Sequence, residues 1–229
     1  MDRRDFLKTV AITGAAMTIQ RSEAMDILTQ TINKANGDKP DLVAVMGGEP
    51  EAMFRRAISE LGGMKQFVKP GQKVVVKPNI GWDKVPELAG NTNPKLITEI
   101  IKQCFAARAK EVTVFDHTCD DWQKCYKNSG IEAAAKEAGA KVMPAHLESY
   151  YKPVDLPKGQ MLKKANIHES ILNCDVWINV PILKNHGGAN LTISMKNHMG
   201  IVWDRGFFHQ NDLQQCIADI CTLEKKAVL

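Results

Sequence analysis

Lys-Asn-His occurs twice in this chain, as Lys184-Asn185-His186 and, twelve residues on, as Lys196-Asn197-His198. The first copy closes the apolar run 176–183 and is followed by Gly187-Gly188; Arg205, Gly206 and His209 come soon after the second. Three of the six histidines therefore fall in one stretch, among cations, amides and glycines. Lysine ammonium groups anchor carboxylates and phosphates, and a desolvated lysine also serves as nucleophile or base. Asparagine side chains orient ligand oxygens, or else form turns in the left-handed region. Paired glycines let backbone amides approach an anion. His186, His198 and His209 are candidate ligands of a divalent metal, with Asp116, His117 or Asp204 as further partners. Acid–base work and a purely structural role are the other two readings of these histidines, whose spacing matches no named metal motif.

Two more apolar runs end in polar residues, Lys77-Pro78-Asn79 and Asp116-His117-Thr118. Ligands of open α/β sheets bind outside the carboxyl ends of the strands. The three polar ends are therefore expected to converge on one crevice. This reading assigns catalysis to Lys77, Asp116, Lys184 and Lys196, and ligand binding to Asn79, Asn185, Gly187, Gly188, Asn197 and Arg205. A solvated strand terminus is the bland alternative for Lys77 and Lys184. Asp120-Asp121 reads as a carboxylate pair or, more commonly, as a helix start. His146 and His168 read as surface residues. No G-x-G-x-x-G or Walker A loop is present, so nucleotide binding has no fingerprint.

The elements that must position these residues follow from apolar periodicity. Short apolar runs predict strands at 42–46, 73–77, 111–116, 140–143 and 175–183. Amphipathic spacing predicts helices at 50–61, 94–109, 131–138 and 208–223. Residues 148–174 break this rhythm and read as an insertion with hairpin character, while 191–196 suits either a strand or a helix start. Alternating strands and helices argue for an α/β fold, a mostly parallel central sheet flanked by helices. One α/β domain is expected over 41–229. Ala227-Val228-Leu229 would begin another strand, so the domain reads as truncated at its C-terminus.

Composition bounds the function classes. The 229 residues are 44% hydrophobic and 24% charged, with a net charge of +4. Charge signs are interspersed, without a basic block, which speaks against nucleic-acid binding. Arg3-Arg4 with Phe6-Leu7-Lys8, a short apolar stretch and Ser22-Glu23-Ala24 suggest an export signal over 1–24 of the twin-arginine type, with a basic first helix as the alternative. Residues 25–40 read as a linker or short helix, and no membrane span is expected once the leader is removed. The six cysteines include no C-x-x-C, so the chain has no iron–sulfur or zinc-ribbon motif of its own. Cys104 and Cys216 sit on apolar helical faces and read as small buried hydrophobes.

Several motifs together resemble the domain-of-unknown-function 362 family. They are Val75-Val76-Lys77-Pro78-Asn79, Asn91-Thr92-Asn93-Pro94, Val114-Phe115-Asp116-His117, and above all Val180–Gly188 and Thr192–Gly200. The resemblance covers roughly residues 40–229. It implies a bacterial or archaeal protein, in a family where several members carry twin-arginine leaders and some are fused to a ferredoxin-type domain. It implies no general activity. By association, an iron–sulfur redox partner is expected. Residues and resemblance together give an exported, periplasmic or envelope protein, a redox or metal-dependent enzyme binding a small anionic ligand through an unidentified cofactor such as a divalent metal. The alternative is a non-catalytic accessory that holds a cofactor or metal for an exported redox system.

Overall fold

The computed structural model describes residues 40–223, all but Pro40 within the unit that begins at Asp41. The signal at 1–24, the linker apart from Pro40, and the run 227–229 lie outside the described residues. In chain order the strands are β1 (Lys73–Pro78), β2 (Glu111–Val114), β3 (Lys141–Val142), β4 (Tyr151–Asp155), β5 (Lys164–His168), β6 (Val176–Val180), β7 (Lys184–His186) and β8 (Asn190–Thr192). The helices are α1 (Pro50–Glu60), α2 (Pro94–Ala106), α3 (Trp122–Asn128), α4 (Ile131–Glu137), α5 (Glu169–Asn173), α6 (Ser194–Asn197), α7 (Gly206–Gln210) and α8 (Leu213–Ile220). No helix among the described residues is long and apolar enough to cross a membrane.

Strands β3, β2, β1 and β6 form one parallel sheet in that order; β4–β5 and β7–β8 are separate antiparallel pairs. The chain steps from β1 to β2 to β3 toward one edge, then returns to lay β6 on the other side of β1. The order thus reverses between β1 and β6, and a crevice opens at such a switch point beyond the strand ends. The register Lys77↔Asn179 and Pro78↔Val180 brings those two ends level.

The valine run of β1 suits a strand covered on both faces. Val74 and Val76 join Ile97, Ile100, Ile101 and Cys104 of α2 in one core, whereas Val75 joins Trp177, Ile201, Phe208 and Cys216 in the other. Each fully buried isoleucine contributes about 1.5–3 kcal/mol. Helix α2 begins where the sequence places it: Pro94 occupies its first turn, and the Asn93 side chain accepts the Lys95 N–H at 2.9 Å. Cys104 and Cys216 are fully buried, and no disulfide joins cysteines among the described residues.

Several expectations are corrected. Leu42–Met46 is not a strand; Leu42 and Met46 are 80% and 76% exposed, and the run pairs with no strand among the described residues. A short apolar run favours burial, but whether a sheet edge receives it is decided by tertiary structure. Strand β6 stops at Val180 because Pro181 has no N–H to give the ladder. The helix expected over 208–223 is two, α7 and α8, because Asp212 turns out to cap α8 and accepts the Gln214 and Gln215 N–H groups at 3.0 Å each. His168 is fully buried rather than on the surface. Its Nδ1 accepts the Ser170 N–H, its Nε2 donates to Pro144 O, and its ring stacks on Phe115 at 4.0 Å. Residues 148–174 hold the β4–β5 hairpin and α5. The stretch 191–196 divides between the end of β8 and the start of α6.

Candidate functional site

The loop after β1 is tied down before any charge enters. Asn79 and Thr92 bond reciprocally, Asn79 N–H to Thr92 Oγ1 at 2.8 Å and Thr92 N–H to Asn79 O at 2.9 Å. Thr92 Oγ1 then donates to Val180 O at 2.8 Å, clamping the end of β1 to the end of β6. Asn91 Oδ1 accepts the Gly81 and Trp82 N–H groups. The Asn91-Thr92-Asn93-Pro94 motif is thus a staple for the site loop as well as the start of α2.

Lys77 sits at the end of β1 with no exposed surface. Its Nζ is ion-paired with Asp116 Oδ1 at 2.7 Å and donates to Pro78 O at 2.8 Å and Asn197 Oδ1 at 3.0 Å. Asp116 Oδ2 accepts the Ile80 N–H at 2.6 Å. Burial pushes the Lys77 amine below the usual lysine range, against the pull of Asp116. Gly200 closes over this pair. A Cβ there would fall on Asp116 Oδ1 and lie 2.6 Å from Lys77 Nζ.

Asn197, from the second Lys-Asn-His, is the hub. Its Oδ1 accepts from Lys77 Nζ and from Asn79 Nδ2 at 3.1 Å, and its Nδ2 donates to Asn179 Oδ1 at 2.8 Å. Lys184, from the first copy, donates to Asn79 Oδ1 at 2.9 Å and to Gly90 O. Lys196 has neither a hydrogen bond nor an ion pair among the described residues. Asn79, Trp82, Cys119, Lys184, His186, Lys196 and Asn197 line a cleft of about 60 Å³ beside this network. Burial pushes both Lys184 and Lys196 below the usual lysine range. Asn197 also explains why Asn179 interrupts an apolar strand.

The rest of the expected set is placed differently. Asn185 is exposed on the β7–β8 hairpin, and Gly187 and Gly188 form its turn. The N–H groups of Gly188 and Ala189 both donate to His186 Nδ1, so these amides close the hairpin. Arg205 donates to His117 O and Thr118 O, bracing the loop after β2. The rings of His186 and His209 lie 6.5 Å apart, whereas His198 packs on Trp177 and its Nδ1 meets Cys221 Sγ at 3.4 Å. The three histidines do not converge, and no group of three His, Cys, Asp or Glu placed to hold a metal occurs among the described residues. Gly200, Thr92, Asn91, Asn179, Trp82 and Cys119 were not assigned to the site from sequence, although Asn91, Thr92 and Gly200 stand in the motifs of the family resemblance. An amide inside the apolar run of β6 was the one plain signal.

His117 and His198 give the fold a pH dependence. His117 is pushed down to about 4, first by burial and then by Arg205, against the pull of its bond to Val202 O. His198 is pushed down to about 4 by burial and by Lys77. The folded protein therefore binds fewer protons than the unfolded chain between about pH 4 and 6.5. Stability is kept above that window and lost as pH falls through it. Urea unfolding at pH 5 is expected to show a deficit on the order of 2 kcal/mol against pH 7, the partial exposure of both rings included. His117→Gln/His198→Gln should flatten the difference; an unchanged pH slope in that variant would contradict the assignment.

Comparison with known proteins places these residues in context. A family model described as "Domain of unknown function (DUF362)" matches residues 74–228. A thylakoid-associated protein of Synechocystis sp. is 24% identical over 151 residues, 66% of this chain and 46% of that protein. The chain thus spans about half the length of this curated relative. The lactate racemase apoprotein of Thermoanaerobacterium thermosaccharolyticum superposes with a TM-score of 0.46 at 15% identity, covering 70% of this chain and 38% of that one.

Proposed function

The chain belongs to the DUF362 family, and we propose that its crevice between the ends of β1 and β6 binds a small anion of the carboxylate or phosphate class. The observation that carries this reading is an imbalance of charge. Lys77, Lys184 and Lys196 surround one asparagine network, and Asp116, the one carboxylate within it, is spent on Lys77. Lys184 and Lys196 are partly desolvated without a counter-charge, which lowers the affinity of both for protons. An anion between them would restore the balance through charge-assisted hydrogen bonds worth about 1.5–3 kcal/mol each. Asn79 and Asn197 fix where those ammonium groups stand.

Titration calorimetry with inorganic phosphate, and separately with oxalate, tests the reading. Lys184→Met and Lys196→Met are each expected to weaken binding by about tenfold or more, and added salt should weaken wild-type binding as well. Phosphate and oxalate binding that survives the double variant unchanged would refute it.

A non-catalytic holding role is favoured over turnover by one observation. The obvious bases are occupied: Asp116 by Lys77 and Ile80, and His186 Nδ1 by two backbone amides. Proton transfer on a bound anion would fall to Lys196, whose lowered proton affinity and free ammonium suit it to that task. Recovery of the bound molecule unaltered after incubation with the full chain supports holding, and its conversion supports catalysis.

A further inference from the structure

A second hollow, of about 370 Å³, shares no lining residue with the lysine cleft and is lined by His117, Glu148, Asn166, Trp203, Asp204 and Arg205. A smaller one of about 140 Å³ adjoins it, sharing Asn166 and Asp204 and adding Phe207 and Lys164. None of this is used by the anion site. The wall is built rigidly. Val202 pairs with Ile167 of β5 in an antiparallel bridge, and the Trp203 N–H donates to Asn166 O at 3.0 Å. One face of the Trp203 ring is backed by His117, parallel within 2° at 5.1 Å, and Tyr151 supports it at 5.4 Å. His117 is itself fixed by the 2.9 Å bond from its Nδ1 to Val202 O. Arg205 is held by two loop carbonyls.

The polar groups around this platform are mixed in kind. Glu148 and Asp204 accept, Arg205 donates, and the Asn166 side-chain amide, which has no hydrogen-bond partner among the described residues, does both. The formal charges of Glu148, Asp204, Arg205 and Lys164 cancel, with Lys164 also paired to the exposed Asp155 at 3.6 Å, in contrast to the cationic cleft. A cation would be repelled by Arg205 and Lys164, and an anion by the two carboxylates. A neutral ligand with many hydroxyls, each both donor and acceptor, satisfies all of them at once. Two aromatic side chains, Trp203 and Phe207, offer flat apolar surface in adjoining hollows, as the C–H faces of successive sugar rings require. A preformed pocket of this size needs little ordering on binding.

We propose that the paired hollows along Trp203, Asn166 and Phe207 form a binding site for a neutral saccharide of two or more rings. The test uses the full chain with maltose, cellobiose and N,N′-diacetylchitobiose as probes, read by saturation-transfer NMR and tryptophan fluorescence. At least one disaccharide is expected to bind at millimolar concentration, with saturation reaching its ring C–H protons. Trp203→Ala and Asn166→Ala are each expected to weaken that binding by about tenfold. Asn166→Ala should leave phosphate binding at the lysine cleft unchanged, which separates this site from the other. Because loss of the Trp203 ring also removes packing from His117, Asn166→Ala decides the outcome if Trp203→Ala fails to fold. Failure of all three disaccharides to bind, binding undiminished in Asn166→Ala, or binding of spermidine in their place would each overturn the proposal.

Discussion

Asp116→Asn is expected to cost about 3–5 kcal/mol of unfolding free energy at neutral pH, and the deficit against wild type should shrink as pH rises above neutral. Asparagine keeps the volume of the side chain and still offers an oxygen to the Ile80 N–H, now met at 2.6 Å. What disappears is the charge opposite a lysine with no exposed surface. Pro78 O and Asn197 Oδ1 remain as acceptors, but two dipoles do not offset a buried ammonium. Burial already holds Lys77 below the value it has when unfolded. Without the carboxylate the folded value falls further, so the unfolded chain binds the additional proton. By linkage the variant must then gain stability, relative to wild type, as pH rises from its own folded lysine value to that of wild type, both of which lie below the unfolded value. Urea denaturation of both proteins across that range checks it, and a deficit independent of pH would mean the loss is steric. Adding Lys77→Met to Asp116→Asn is expected to recover part of the loss, since a buried pair removed whole costs less than one removed by half.

What the sequence made legible follows from what each signal depends on. The valines of β1 and the run of β6 announce strands because burial on both faces requires uninterrupted apolar side chains. The meeting of their polar ends, Lys77-Pro78-Asn79 and Lys184, was legible because polar groups at strand ends have one common place to meet. The doubled Lys-Asn-His was legible as unusual, yet its two copies play unequal parts. Asn197 stands at the centre of the network, while Asn185 faces solvent. That difference arises because the first copy lies in a hairpin and the second in a short helix, and identical tripeptides aim their side chains differently in the two. The three histidines looked like one set for the same reason that they are not: spacing along the chain says nothing about the turn of the hairpin or the break between α7 and α8. His168 was misplaced because a histidine that satisfies both ring nitrogens locally can be buried at little cost, and its partners Ser170 and Pro144 carry no sequence signal.

Gly200 ends one of the family motifs without any sign in the sequence of what it packs against, and Gly200→Ala is expected to be nearly as damaging as Asp116→Asn. The added methyl would fall on Asp116 Oδ1 and stand 2.6 Å from Lys77 Nζ and 2.8 Å from Lys77 Cε. Neither side chain can step aside cheaply. Asp116 is held by Ile80, Lys77 by Pro78 and Asn197, and Gly200 itself by the His117 N–H, which donates to its carbonyl at 3.1 Å. Overpacking alone costs about 1–3 kcal/mol, and here relief comes only by parting a buried ion pair, so a total of about 3 kcal/mol is expected in urea unfolding. Asn197 would move with Lys77, and Asn79 and Lys184 with Asn197, so phosphate binding at the cleft should fall as well. The decisive comparison is a second background. In Asp116→Ala the carboxylate that the methyl strikes is gone and only the Lys77 contacts remain, so adding Gly200→Ala there should cost clearly less than in wild type. An equal cost in both backgrounds would show that the methyl acts through the backbone of residues 198–201. The absence of a side chain at Gly200 would then owe nothing to the Lys77–Asp116 pair.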